Sequence, residues 1–112
     1  MTVNETIIQA LKSLGYPVKP DLYTGKEKHY FTFNYANDRG EDFGDDEPQE
    51  AVASMQVHFF CPLSEDYLEI KEKIRDLLTD AGFTYPEITE LNEPENKIRH
   101  LVYECEIEKE RS

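Results

Sequence analysis

Two stretches of strict alternation flank the most acidic part of this chain, and together they narrow the possible folds more than any other feature. His29 to Tyr35, HYFTFNY, puts Phe31, Phe33 and Tyr35 on one face. Ala53, Met55, Val57, Phe59 and Cys61 alternate with Ser54, Gln56, His58 and Phe60. Apolar residues at every second position are the signature of strands buried on one side. Between them lies ANDRGEDFGDDEPQE, Ala36 to Glu50, which reads as a long acidic loop. About fifteen residues is well above what a hairpin turn needs, and loops of that length are usually functional or disordered. This one holds no nucleophile and no phosphate-cradling glycine pattern, so it points to a partner surface rather than to catalysis.

The flanking segments supply the rest of a single domain of 112 residues. Thr2 to Leu14 reads as a helix: Thr2 and Glu5 have capping-box spacing, and Val3, Ile7, Ile8, Leu11 and Leu14 form one apolar stripe before Gly15. Val18 to Tyr23 is a short strand, held to a sheet edge by Pro17 and Pro20, which cannot donate to a ladder. Thr24 to Lys28 is a turn. After Pro62, Ser64 is the expected N-cap of a second helix through Ala81, with Glu65 and Asp66 in its first turn. Its stripe is Tyr67, Ile70, Ile74, Leu77, Leu78 and Ala81, and Gly82 ends it. Strands at Thr84–Leu91 and Lys97–Glu108 follow, the last with Leu101, Tyr103, Cys105 and Ile107 on its dry face. Val102, Glu104, Glu106 and Glu108 make its wet face.

The expected class is α+β, in the order α-β-β-β-α-β-β, with a mixed sheet and both helices packed on one face. LKSLGYPV and LLTDAGFTYP echo one another, each a helix end, glycine, aromatic and proline followed by two strands, which suggests two similar halves sharing the sheet. The crossover through the second helix is expected to be right-handed.

Charge excludes several functions. A net charge of −12 leaves no basic footprint for DNA, and the aromatics Tyr30, Phe31, Phe33, Tyr35, Phe59 and Phe60 lack the Lys and Arg that a base-stacking groove requires. No apolar run reaches membrane-spanning length, and MTVNETIIQALK lacks the basic region and apolar core of a signal peptide. Asp38, Glu41, Asp42, Asp45, Asp46, Glu47 and Glu50 crowd the acidic stretch without EF-hand spacing, so no calcium site is assigned. His29, His58 and His100 fall on different strands. Two of them on neighbouring strands could make a zinc site or an acid–base pair, but the alternation puts His58 and His100 on the polar face as partly exposed residues, and no ligand role is assigned. No serine sits on a sharp glycine-flanked turn, and no catalytic residue or cofactor is expected. Cys61 and Cys105 lie on apolar strand faces: a disulfide is open to them if those strands are neighbours, and buried free thiols are the favoured reading. Tyr30 and Phe60 point away from their strands' main stripes. With Val102 they make either a face that meets another subunit or one covered by a helix, and the pattern leaves both open.

LKSLGYPV, HYFTFNYANDRGEDFGDDE, MQVHFFCP, IRDLLTDAGFTYP and RHLVYECEIE together resemble small tail-completion or tail-terminator proteins of long-tailed phages and Gram-positive prophages. The resemblance covers nearly the whole chain and rests on segment pattern and size. It implies a non-enzymatic structural role: a homo-oligomeric ring, commonly of six subunits, that caps the tail-tube protein and meets neck or head-completion proteins at the head–tail junction. Such a protein would assemble in the bacterial host cytoplasm and remain in the virion tail. On this reading Asp42, Phe43, Asp45 and Asp46 of the acidic stretch, with Glu104 and Glu106 of the wet face, are the interface candidates. The alternative from the residues alone is an acidic binding module or inhibitor that docks on a basic partner surface.

Overall fold

The computed structural model describes the backbone of residues 1–44 and 47–109, and the side chains of residues 1–36 and 52–108. Helix α1 runs Val3–Leu11 and opens on the expected capping box: Glu5 N–H donates to Thr2 Oγ1 (3.1 Å) and Thr2 N–H to Glu5 Oε1 (3.0 Å). It buries Val3, Ile7 and Leu11, whereas Ile8 turns outward. A 3-10 turn, Lys12–Leu14, then closes on Gly15 at φ 80°, the left-handed conformation that favours glycine.

Strands β1 (Val18–Pro20), β2 (Tyr30–Gly44) and β3 (Glu47–Pro62) precede helix α2 (Leu68–Asp80), and β4 (Glu87–Glu90) and β5 (Ile98–Lys109) follow it. The five strands form one sheet in the order β1-β2-β3-β5-β4. β1 is parallel to β2, and the other neighbours are antiparallel. This is the α+β class and the element order expected from the pattern. Both helices lie on one face, where Ile7, Leu11, Ile74 and Leu78 pack with Phe31, Phe33, Met55, Val57, Phe59, Leu101 and Tyr103 in a single core.

Three expectations are corrected. The acidic stretch is not a loop along most of its length: β2 continues to Gly44 and β3 begins at Glu47, with Asn37 to Gly44 in register with Ser54 to Glu47. Loop-like composition yields there to the ladder, since a strand already paired from Tyr30 to Tyr35 extends by adding one backbone pair at a time. A register shift between Tyr35 and Asn37 marks the passage from the body of the sheet into this extension. Second, Ser64 does not cap α2. Leu63 N–H donates to Lys97 O (2.9 Å) and Glu65 N–H to Pro62 O (3.2 Å), which ties this stretch into a turn against β5. The helix starts only at Leu68, whose N–H is taken by Asp66 Oδ1 at 3.2 Å. Third, the two halves are alike in order alone: β1 is parallel to its long partner β2, whereas β4 is antiparallel to β5. The path through α2 also leads from β3 past the place of β5 to the far edge of the sheet.

Cys61 and Cys105 are both free and buried. Cys105 stands opposite Met55, and Cys61 lies six residues farther along β3, opposite Arg99. At about 3.3 Å per residue the two thiols are roughly 20 Å apart, far beyond disulfide reach. Burial, with the Glu106 carboxylate beside it, pushes the Cys105 thiol up to about 12. Near pH 8 a thiol reagent should therefore label Cys105 slowly in the folded protein and rapidly once denaturant is added. Equal rates in the two states would contradict its burial.

Candidate functional site

Both helices occupy one side of the sheet, so the opposite side carries no helix among the described residues, which sets aside the helix cover considered for Tyr30 and Phe60. Strand register arranges its side chains in rows. Tyr30, Phe60 and His100 form the first; Thr32, His58, Val102 and Thr89 the second; Asn34, Gln56, Glu104 and Glu87 the third; Ser54 and Glu106 the fourth. Side chains cover much of this face by packing on one another. Val102 is buried although it lies on the face expected to be wet, with His58 and Thr89 as its cross-strand neighbours, and Thr32 is buried too.

An aromatic ladder runs along the first row. Tyr23 packs on Tyr30 (centroids 4.6 Å), Tyr30 stacks on Phe60 (4.6 Å), and Phe60 stacks on His100 (4.2 Å). At its end a pocket of about 480 Å³ opens, lined by residues that include Lys28, Tyr30, Phe60, Pro62, Asn96 and Lys97. Burial raises the Tyr30 hydroxyl above its ordinary value, and the Glu93 and Tyr23 charges add to this.

A chain of hydrogen bonds crosses from the first row into the third. His58 Nδ1 meets His100 Nε2 at 2.8 Å, and His58 Nε2 meets Asn34 Oδ1 at 2.8 Å. Asn34 Nδ2 in turn donates to Gln56 Oε1 (3.1 Å). The Asn34 oxygen can only accept, so His58 carries its proton on Nε2. His58 Nδ1 then holds a lone pair and accepts from His100 Nε2–H. Every member of the chain points one way, and both imidazoles are neutral.

Burial lowers the proton affinity of both histidines; the neighbouring His58 lowers His100 further, against a raising influence from Glu93. As pH falls through about 6.5, the ordinary imidazole value, the unfolded chain takes up protons before the folded one does. The stability contributed by the neutral pair is therefore complete above that pH and declines below it. Urea midpoints should fall between pH of about 7.5 and 5.5, and the double variant His58→Gln/His100→Gln should show a shallower fall. An unchanged slope in the double variant would refute the assignment.

The interface candidates are distributed unevenly. Glu104 is exposed on the helix-free face opposite both Gln56 and Glu87. Glu106 lies one row on, its Oε2 accepting from Ser54 Oγ (2.6 Å) and its N–H donating to Thr84 Oγ1 (2.9 Å). Asp42 and Phe43 belong to the backbone of β2, with Phe43 opposite Pro48. Asp45 and Asp46 lie outside the described residues. The structure thus brings Glu104 and Glu106 onto the face that carries the histidine pair. The alternation places His58 and His100 on one polar face but does not show that they touch, because they stand on strands that are not consecutive in the chain, offset diagonally by one row. Only the insertion of β5 between β3 and β4 makes them neighbours. On the helix side, Arg99 lies over the Tyr67 ring (3.7 Å to its centroid) and joins Glu90, a network that no spacing in the sequence signals.

No protein-family model matches the chain, and a search of curated proteins found no relative. No helix among the described residues is long and apolar enough to cross a membrane.

Proposed function

We propose that the protein is a non-enzymatic structural subunit of a phage or prophage tail, which caps the tail tube as a homo-oligomeric ring and helps form the head–tail junction. The observation that carries this reading is the helix-free face, a sheet surface with a half-buried aromatic row at one end and carboxylates at the other. Such a face fits the rim of an assembly better than a reaction centre. A ring needs a subunit whose different flanks complement one another, and here the two sheet edges differ in strand length and pairing direction. Glu104 and Glu106 on this face, with Asp42, Phe43, Asp45 and Asp46 of the acidic stretch, are the proposed contact residues. The strong negative charge would keep free copies apart until a partner ring matched it. The tail-tube protein and the neck or head-completion proteins would be its partners, met in the bacterial host cytoplasm during assembly and retained in the virion tail.

One observation favours a second reading. Glu87 and Glu104 stand directly opposite on neighbouring strands, an arrangement that weakens a sheet unless a cation covers it. An acidic module that docks on a basic partner surface would use such a pair. The mass of the purified protein in solution, alone and with the tail-tube protein of its own gene cluster, separates the two. Rings or co-elution with tube protein support the first; a persistent monomer that ignores tube protein refutes it and directs the search to basic partners.

A further inference from the structure

The two imidazoles on the helix-free face have the geometry of a chelate. His58 Nδ1 and His100 Nε2 face one another at 2.8 Å from adjacent strands. Each ring is already held in place. Asn34 Oδ1 takes the other nitrogen of His58 at 2.8 Å, and Gln56 holds the Asn34 amide at 3.1 Å. Phe60 stacks on His100 with ring planes 19° apart. An imidazole whose far N–H is anchored on an oxygen while its near nitrogen keeps a lone pair is the arrangement found around metal-bound histidine, where that outer partner fixes tautomer and orientation.

We propose that His58 Nδ1 and His100 Nε2 bind a divalent first-row transition metal ion, with Asn34 as the positioning residue behind His58. Imidazole pairs suit Zn²⁺, Ni²⁺ and Cu²⁺, whereas Ca²⁺ and Mg²⁺ prefer oxygen. Binding requires one rearrangement. His100 shifts its proton from Nε2 to Nδ1, so both facing nitrogens present lone pairs; the ring remains neutral and no net proton is released. With metal–nitrogen bonds of about 2.0–2.1 Å in tetrahedral geometry, the nitrogens must part to about 3.3 Å, an opening of roughly half an ångström. Both rings are only half-buried and no helix lies over them, so they can make that movement. Among the described residues no third His, Cys, Asp or Glu completes a cluster with the pair, and water takes the remaining positions. The surrounding negative charge raises the local concentration of any cation, so specificity for the pair must be tested against loose binding by surface carboxylates.

The test is calorimetric titration of the full chain with ZnCl₂ and with NiCl₂ at a pH of about 7.5, where free imidazole is mostly neutral, with MgCl₂ as the control for carboxylates. The expected result is saturable uptake of one transition metal ion per chain, lost in both H58Q and H100Q. Uptake should be weakened roughly tenfold or more in Asn34→Leu, as is usual when an outer partner is removed. Imidazole ¹⁵N spectra of the unaltered protein give a readout that does not depend on any variant folding: added Zn²⁺ should shift His58 Nδ1 and His100 Nε2 and leave His29 unmoved. Three results would overturn the proposal: no saturable uptake, uptake that survives in H58Q and H100Q, or spectra in which the three histidines respond alike.

Discussion

Phe59→Ala should lower the free energy of unfolding by about 3–5 kcal/mol, the usual consequence of emptying a fully buried aromatic site. Phe59 is 0% exposed, on β3, the middle strand of the sheet, with its ring 4.8 Å from Phe31 and 6.1 Å from Tyr16. Strands border β3 on both sides and two helices cover its inner face, so the cavity has little means of collapsing. A domain of this size commonly has only about 5–15 kcal/mol in total, which leaves the variant close to the edge of folding. Urea denaturation measures the loss. The neighbouring change Phe60→Ala is the internal control: Phe60 lies on the helix-free face, half-buried, and its stacking on Tyr30 and His100 suggests a cost of only about 1–2 kcal/mol. If the two substitutions cost the same, the assignment of inner and outer faces is wrong.

Arg99→Ala should cost about 2 kcal/mol, and Arg99→Lys should recover little of it. The Arg99 guanidinium lies 3.7 Å over the Tyr67 ring, donates to Glu90 Oε1 and to Leu63 O at 3.0 Å each, and its side chain is only 14% exposed. Burial alone would raise the Glu90 carboxyl. Donors from Tyr67, Asn92 and Arg99, with the charge of Lys71, hold it below its ordinary value instead. Glu90 is partly open to solvent, so the charge pair itself contributes modestly. Most of the loss comes from the flat stack and the fixed pair of donors, which clamp the turn before α2 to β4 and β5. A lysine restores the charge and neither of the other two. Should R99K denature at the same urea concentration as the parent, charge alone is sufficient and the planar geometry is irrelevant.

Much of the fold is legible in the sequence because burial imposes a period. Phe31 and Phe33, Ala53 to Cys61, and Leu101 to Cys105 each alternate, and each alternation becomes a strand facing the helices. Thr2 with Glu5, and Gly15 and Gly82, mark helix ends through side-chain caps and positive φ, which are local effects. The features that were missed are not local. The acidic stretch has the composition of a loop, yet it continues a ladder that begins at Tyr30. Ser64 has the chemistry of a cap, but the backbone around it is already engaged with Lys97. Val102 occupies a position that alternation assigns to water and is buried by neighbours from other strands. The candidate site depends most of all on such long-range placement, since His58 meets His100 only through the strand order, and that order is not written in the spacing of residues.

The place of β5 between β3 and β4 also bears on how the chain is made. During synthesis β4 emerges from the ribosome before β5, the strand it pairs with among the described residues. The long β3 meanwhile exposes one whole edge of unpaired amides and carbonyls. The sheet cannot be completed until residues 98–109 have left the exit tunnel, and the nascent chain passes through a stage in which it is open to edge-to-edge association with other copies. The carboxylates of the acidic stretch would repel like chains during this interval as well, a service to the unfinished molecule in addition to the finished one.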